Sequence, residues 1–221
     1  MPSRVLFDRK HRPKGLEFSS CQPCQNTTRK AETVVAMLSR VYPDPTTKTQ
    51  RDEFRKLLYA AERHNPGLVS EMETDQLGHL HRLGEVVAQL PSWNFLNVGG
   101  PICTSSVSAF AFKLGLALHY EITQQIVPEG GVVVVARFSN VDAFTGDLPK
   151  EMLGLFGPGR TLEMGKFRVA EQFEYSSIHA GRIMPISAHF ATFRMSIALI
   201  LFVCHTDTDI PDAVTGDRFY V

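Results

Sequence analysis

The chain has 221 residues, 43% of them apolar and 21% charged, a globular composition that fits one domain or one domain with a small appendage and excludes disordered and fibrous classes. Lys and Arg number 23 and so do Asp and Glu, so the whole molecule is neither a polycation made to coat nucleic acid nor uniformly acidic. Four cysteines make no disulfide framework, no basic-then-apolar leader opens the chain, and the longest strongly apolar run, Ile197 to Cys204, falls far short of the ~20 residues of a membrane span. The expectation is a cytoplasmic protein without a membrane helix.

Charge is unevenly placed. Residues 1–30 carry seven Lys and Arg against Asp8 and Glu17, a local balance of +5 that the remainder must offset. Pro2, Pro13, Pro23 and Gly15 interrupt this stretch, so it reads as a loop-rich piece that something must hold in place. A first helix is expected over 29–41, capped by Thr27 or Thr28, with Val34, Val35, Met37, Leu38 and Val41 at helical spacing. Pro43 and Pro45 end it. Thr46 and Thr47 open a second helix with Phe54, Leu57, Leu58 and Ala61 on one face and Arg51, Asp52, Arg55 and Glu62 on the other, stopped by Pro66-Gly67. Leu68, Val69 and Met72 suggest a further helical turn, and Leu77 to Leu90 repeats at an interval near three to four.

After Gly99-Gly100-Pro101, Thr104 or Ser105 is expected to cap a long helix through Val107, Phe110, Ala111, Leu114, Leu118 and Ile122. Gly130-Gly131 then starts a β-rich half. Strand character is read at 132–138, 161–164 and 169–178, and across a long segment from Ser187 to Cys204 that is expected to bend or break. The fold class is therefore α+β: an N-terminal piece and helices, then a small antiparallel sheet packed on the long helix. The expected parts are 1–45, a helical segment over 46–100, an α+β domain over 101–205 and a surface tail over 206–221.

One constellation carries chemistry. Cys21-Gln-Pro-Cys24 is a CxxC read as a tight turn just before a helix, the geometry in which two thiolates grip one zinc ion while helix amides face their charge. A zinc ion would also hold a Pro-rich segment that lacks a core of its own. A structural zinc site wants four ligands, and His11 is a candidate for another. Cys103 and Cys204 read as small buried hydrophobes.

Together with Pro2-Ser-Arg-Val-Leu-Phe7, Arg12-Pro-Lys-Gly-Leu-Glu-Phe18 and Gln25-Asn26-Thr-Thr-Arg-Lys-Ala-Glu32, this CxxC resembles the second half of an HNH-type endonuclease domain of the treble-clef kind. The resemblance spans about thirty residues, and the rest of the chain is similar in style to the extensions found after such half-knuckles in bacterial proteins. It implies that Cys21 and Cys24 are two of four structural zinc ligands. It also implies DNA as partner, with Arg12, Lys14, Asn26, Arg29 and Lys30 at the nucleic acid, although Asn26 stands one residue from the family's Asn. The family's first ligand pair and its metal-assisted catalytic His would precede Met1, so the expectation is an HNH-like, DNA-directed chain inactive as a nuclease. The alternative is a non-enzymatic α+β ligand- or protein-interaction module, with the N-terminus as an arm.

The other candidates read as structural. His79 and His81 share a face on a strand but not on a helix, and the Leu periodicity favours the helix; His119 and His189 read as hydrogen-bonded packing residues without a visible partner. Gly154 to Arg160 lacks the GK[ST] ending of a phosphate loop and reads as a turn.

Overall fold

A computed structural model describes residues 3–8, 16, 22–41, 47–73, 96–140, 142, 148–149, 153–164, 167–168, 171–181, 186–194 and 196–221. Among them are four α-helices: α1 (Gln22–Leu38), α2 (Lys48–His64), α3 (Leu68–Glu73) and α4 (Pro101–Thr123). Eight strands follow: β1 (Val132–Ser139), β2 (Arg160–Thr161), β3 (Glu163–Met164), β4 (Phe167–Arg168), β5 (Glu174–His179), β6 (Ile186–Phe193), β7 (Ile197–Cys204) and β8 (Asp217–Tyr220). The class is α+β. Strands β2-β5-β6-β7-β1-β8 form one antiparallel sheet in that order, and β3 pairs with β4.

Period-2 alternation along β5, β6 and β7 sends one set of side chains toward α4 and the other toward the opposite face. Facing α4 are Val133 and Val135 of β1 with Leu199, Leu201 and Val203 of β7, all buried. Against them lie Phe110, Leu114 and Leu118 of α4, and behind these Val34, Val35, Met37 and Leu38 of α1. Phe110 meets Phe193 edge-on, with ring centroids 5.4 Å apart. Small residues on α4 permit the close approach. A Cβ on Gly115 would come within 2.9 Å of a Val133 methyl. The long apolar segment breaks, as expected, between β6 and β7, and Arg194 there adopts a left-handed φ of 51°.

Several boundaries differ from the sequence reading. Helix α1 begins at Gln22 rather than Arg29, because Pro23 is no obstacle in a first turn, where amides lack intrahelical partners anyway. Helix α4 begins at Pro101, so Cys103 is buried inside it and Thr104 and Ser105 do not cap it. The cap comes from α3 instead: the Glu71 carboxylate accepts from the amides of Ile102 and Cys103, both at 2.8 Å. Such a charge favours a helix N-terminus, and a cap supplied from a distant part of the chain leaves no local sequence signature. By length and composition α4 is also apolar enough to cross a membrane, contrary to the sequence reading, and 56% of its most apolar window is buried inside this fold.

The surface segment 206–221 is tied into the sheet. Its β8 pairs with β1 from Val132↔Tyr220 to Val135↔Asp217, and Val221 exchanges backbone hydrogen bonds with Gly130 and Gly131. Ile210 and Val214 pack on Val132, Val134 and Cys204 across the sheet's other face. The acid-rich approach to β8 hides a short strand whose Phe219 packs against Phe112. Other expectations hold: Thr47 caps α2 through a reciprocal box with Gln50, α3 supplies the turn at Leu68, and α2 ends at His64 ahead of Pro66-Gly67. The periodic stretch Leu77 to Leu90 lies outside the described residues.

Candidate functional site

Of the residues singled out at the N-terminus, Arg12, Lys14, Cys21 and His11 lie outside the described residues, as do His79 and His81. Cys24 is placed by its backbone in the first turns of α1, so its half of the CxxC belongs to a helix rather than to a turn ahead of one. That position keeps the chemistry intended for it. Unpaired amides of a first helical turn stabilise thiolate over thiol, the form that binds zinc. Among the described residues no group of three or more His, Cys, Asp or Glu side chains converges to complete such a site.

Asn26, Arg29 and Lys30 come together. They stand at i, i+3 and i+4 on α1, which puts them on one face, and all three are exposed. The Asn26 carbonyl accepts from the Gln22 side chain at 2.9 Å. The single carboxylate of α1, Glu32, points the other way: it is 8% exposed and paired with Lys113 of α4 at 2.9 Å, while the same ammonium donates to Thr28 at 2.9 Å. The acid of this helix is spent inside, and its bases remain outside.

A second group escaped the sequence reading. His119 of α4 and His189 of β6 are fully buried, and the hydroxyl of Ser187 lies between them. Ser187 Oγ is 2.8 Å from His119 Nδ1 and 2.8 Å from His189 Nε2; His189 Nδ1 is 2.7 Å from Ser177 Oγ. At the other end His119 Nε2 meets Nε2 of the half-buried His205 at 3.2 Å. Burial, reinforced by His205 and His179, pushes His119 down to about 4, and burial with the charge of His119 takes His189 down to about 3. Both rings are therefore neutral at ordinary pH. The expectation that they are hydrogen-bonded packing residues holds, but each has clear partners. The signal was present in the alternation Ser177, Ser187, His189 on strand faces turned toward the helix. No carboxylate joins the row among the described residues; His119, Ser187 and His189 are buried and the two ends, His205 and Ser177, are half-buried, so it acts as a polar seam of the core.

The remaining thiols are equally inert. Burial, then Glu71, raises Cys103 to about 12, and burial, then Asp209 and Asp207, raises Cys204 to about 11. The segment Gly154 to Arg160 is irregular chain leading into β2, in keeping with its reading as a turn. On the far face of the sheet a cavity of 240 Å³ lies between this segment and β5 and β6, lined by Leu153, Phe156, Glu174, Ser176 and Phe190 among others. No protein-family model, no curated protein and no solved structure matches the chain.

Proposed function

We infer that the protein is a DNA-directed protein built on an HNH-like zinc knuckle, with α1 presented to the nucleic acid. The observation that carries this reading is the segregation of charge on α1: Arg29 and Lys30 exposed beside Asn26, with Glu32 turned inward onto Lys113. A face that offers cations and an amide, with no carboxylate to compete, neutralises phosphates and gives binding that weakens with salt. In this reading Cys21 and Cys24 would hold a structural zinc ion, which would cross-link the Pro-rich segment to α1. Cys24 at the start of a helix has the chemistry for that role.

The test is fluorescence anisotropy with a labelled duplex of about 20 base pairs, titrated with the protein between about 50 and 200 mM salt, beside an Arg29→Gln/Lys30→Gln variant. The expected result is affinity that falls with salt and a variant whose log–log slope is smaller by about 1.8, roughly 0.9 for each phosphate no longer neutralised. Binding unchanged by the double substitution would remove the role of α1. Zinc content by elemental mass spectrometry, compared with Cys21→Ser/Cys24→Ser, tests the knuckle separately.

A further inference from the structure

The other basic helix was not among the residues that the resemblance supplied. Along α2, Arg51, Arg55, Tyr59 and Arg63 follow one another at intervals of four, which on a helix makes a single inclined ridge rising about 6 Å at each step. All four are exposed, Tyr59 to 75%. Lys48 and Lys56, also exposed, flank the ridge.

A run of cations on a helix is usually balanced by carboxylates on the same face, and α2 has three. Two of them are engaged away from the ridge. Glu53 lies 3.8 Å from the buried guanidinium of Arg40. Glu62 turns to the end of the helix, where its two oxygens accept from the amides of Gly67 at 2.9 Å and Val69 at 2.8 Å. Those bonds, Val69 first and then Gly67, hold its carboxyl below the ordinary range, so it stays an anion committed to the backbone. Of the carboxylates of α2 only Asp52 is left beside the exposed Lys48, Arg55, Lys56 and Arg63. The apolar face of the same helix, Phe54, Leu57, Leu58 and Ala61, is packed on the core, so the ridge cannot roll inward.

We propose that this ridge is a binding surface for the phosphate backbone of duplex DNA, an assignment that rests on the DNA-directed reading of α1 and extends it to a second helix. Arg55, Tyr59 and Arg63 donate hydrogen bonds to phosphate oxygens: two guanidiniums as forks and a phenol between them. In this role the ridge positions the protein without choosing a sequence. Helices α1 and α2 pack against each other, which puts both basic faces on one helical pair.

The experiment uses the full chain and the same labelled duplex. Arg55→Gln and Arg63→Gln, each a surface change, are expected to lower the log–log salt slope by about 0.9 apiece, and about 1.8 together. Tyr59→Phe removes a donor but no charge, so it is expected to weaken binding about two- to tenfold with the slope unchanged. Arg218→Gln, whose residue is paired with Asp207 at 3.0 Å near β8, serves as the remote control and is expected to change nothing. If the α2 variants bind like the unmodified protein while Arg29→Gln/Lys30→Gln is weakened, the ridge proposal is overturned and the reading of α1 stands. If the unmodified protein does not bind the duplex at the lowest salt, both fall. Equal or tighter binding of a single strand, with Tyr59→Phe neutral and Tyr59→Ala damaging, would overturn the phosphate role of Tyr59 in favour of base stacking.

Discussion

Arg194, in the turn between β6 and β7, donates to the Asp8 carboxylate at 2.7 Å, joining residues 186 positions apart in the chain. The same guanidinium reaches the carbonyl of Leu6 at 3.3 Å and the side chain of Gln172 at 3.1 Å. Leu6 and Phe7 beside it are 1% and 2% exposed. Residues 3–8 thus contribute Leu6 and Phe7 to the core. Leu6→Ala is expected to cost about 2–5 kcal/mol, as a buried leucine does when truncated, lowering Tm by several degrees. Thermal unfolding followed by circular dichroism checks this; a Tm equal to that of the unmodified protein would show that residues 3–8 contribute no packing.

The buried imidazoles predict an acid sensitivity with a definite sign. His119 and His189 titrate near 6.5 when unfolded but at about 4 and about 3 when folded. Below pH 6.5 the unfolded chain therefore binds more protons, and stability falls as the pH drops from 6.5 toward 4. Above 6.5 the contribution is complete and flat. Between about pH 7 and 5 the loss is expected to be about 1–2 kcal/mol for each ring. Imidazole NMR gives the direct check: two rings that hold one chemical shift from about pH 8 to 5 in the folded protein. Titration of all observable rings near 6.5 would refute it.

Gly115 and Val133 make a second testable pair. Because a Cβ at Gly115 would crowd the Val133 methyl at 2.9 Å, Gly115→Ala is expected to destabilise by about 1–3 kcal/mol despite alanine's better helix propensity. Val133→Ala alone opens a void and also destabilises. The double variant should recover part of the loss, and denaturant titrations of all four proteins measure that coupling. Strict additivity would mean that the two residues do not meet.

Much of this arrangement could be read from the residues in order. The α+β class, the capping of α2 by Thr47, the long apolar helix and the break near Arg194 all follow from local signals: period, cap chemistry and turn residues. What stayed hidden is what depends on distance. Glu71 caps α4 from another helix, β8 returns to pair with β1 over acid-rich sequence, and Ser187 meets two histidines only once α4 lies across the sheet. The candidate site was legible in part: Asn26, Arg29 and Lys30 are singled out, but with the first helix expected only from Arg29 their shared face appears once α1 begins at Gln22. That Glu32 would be withdrawn onto Lys113, and Glu53 and Glu62 onto partners of their own, is a property of tertiary contacts. A sequence shows charges but not which of them are already spoken for.

Ser187 has a single proton and two nitrogen neighbours, so when it donates to one ring it must accept from the other, and a neutral ring that donates through one nitrogen accepts through the other. The choice of tautomer at His119 then dictates the hydroxyl rotor of Ser187, the tautomer of His189 and the sense of the bond to Ser177. With every bond satisfied, the row has two collective orientations rather than many independent ones, each a line of aligned dipoles running from His205 across the sheet to β5. Replacing Ser187 with alanine would cut that line into unrelated halves, so His119 and His189 would each choose a tautomer without reference to the other.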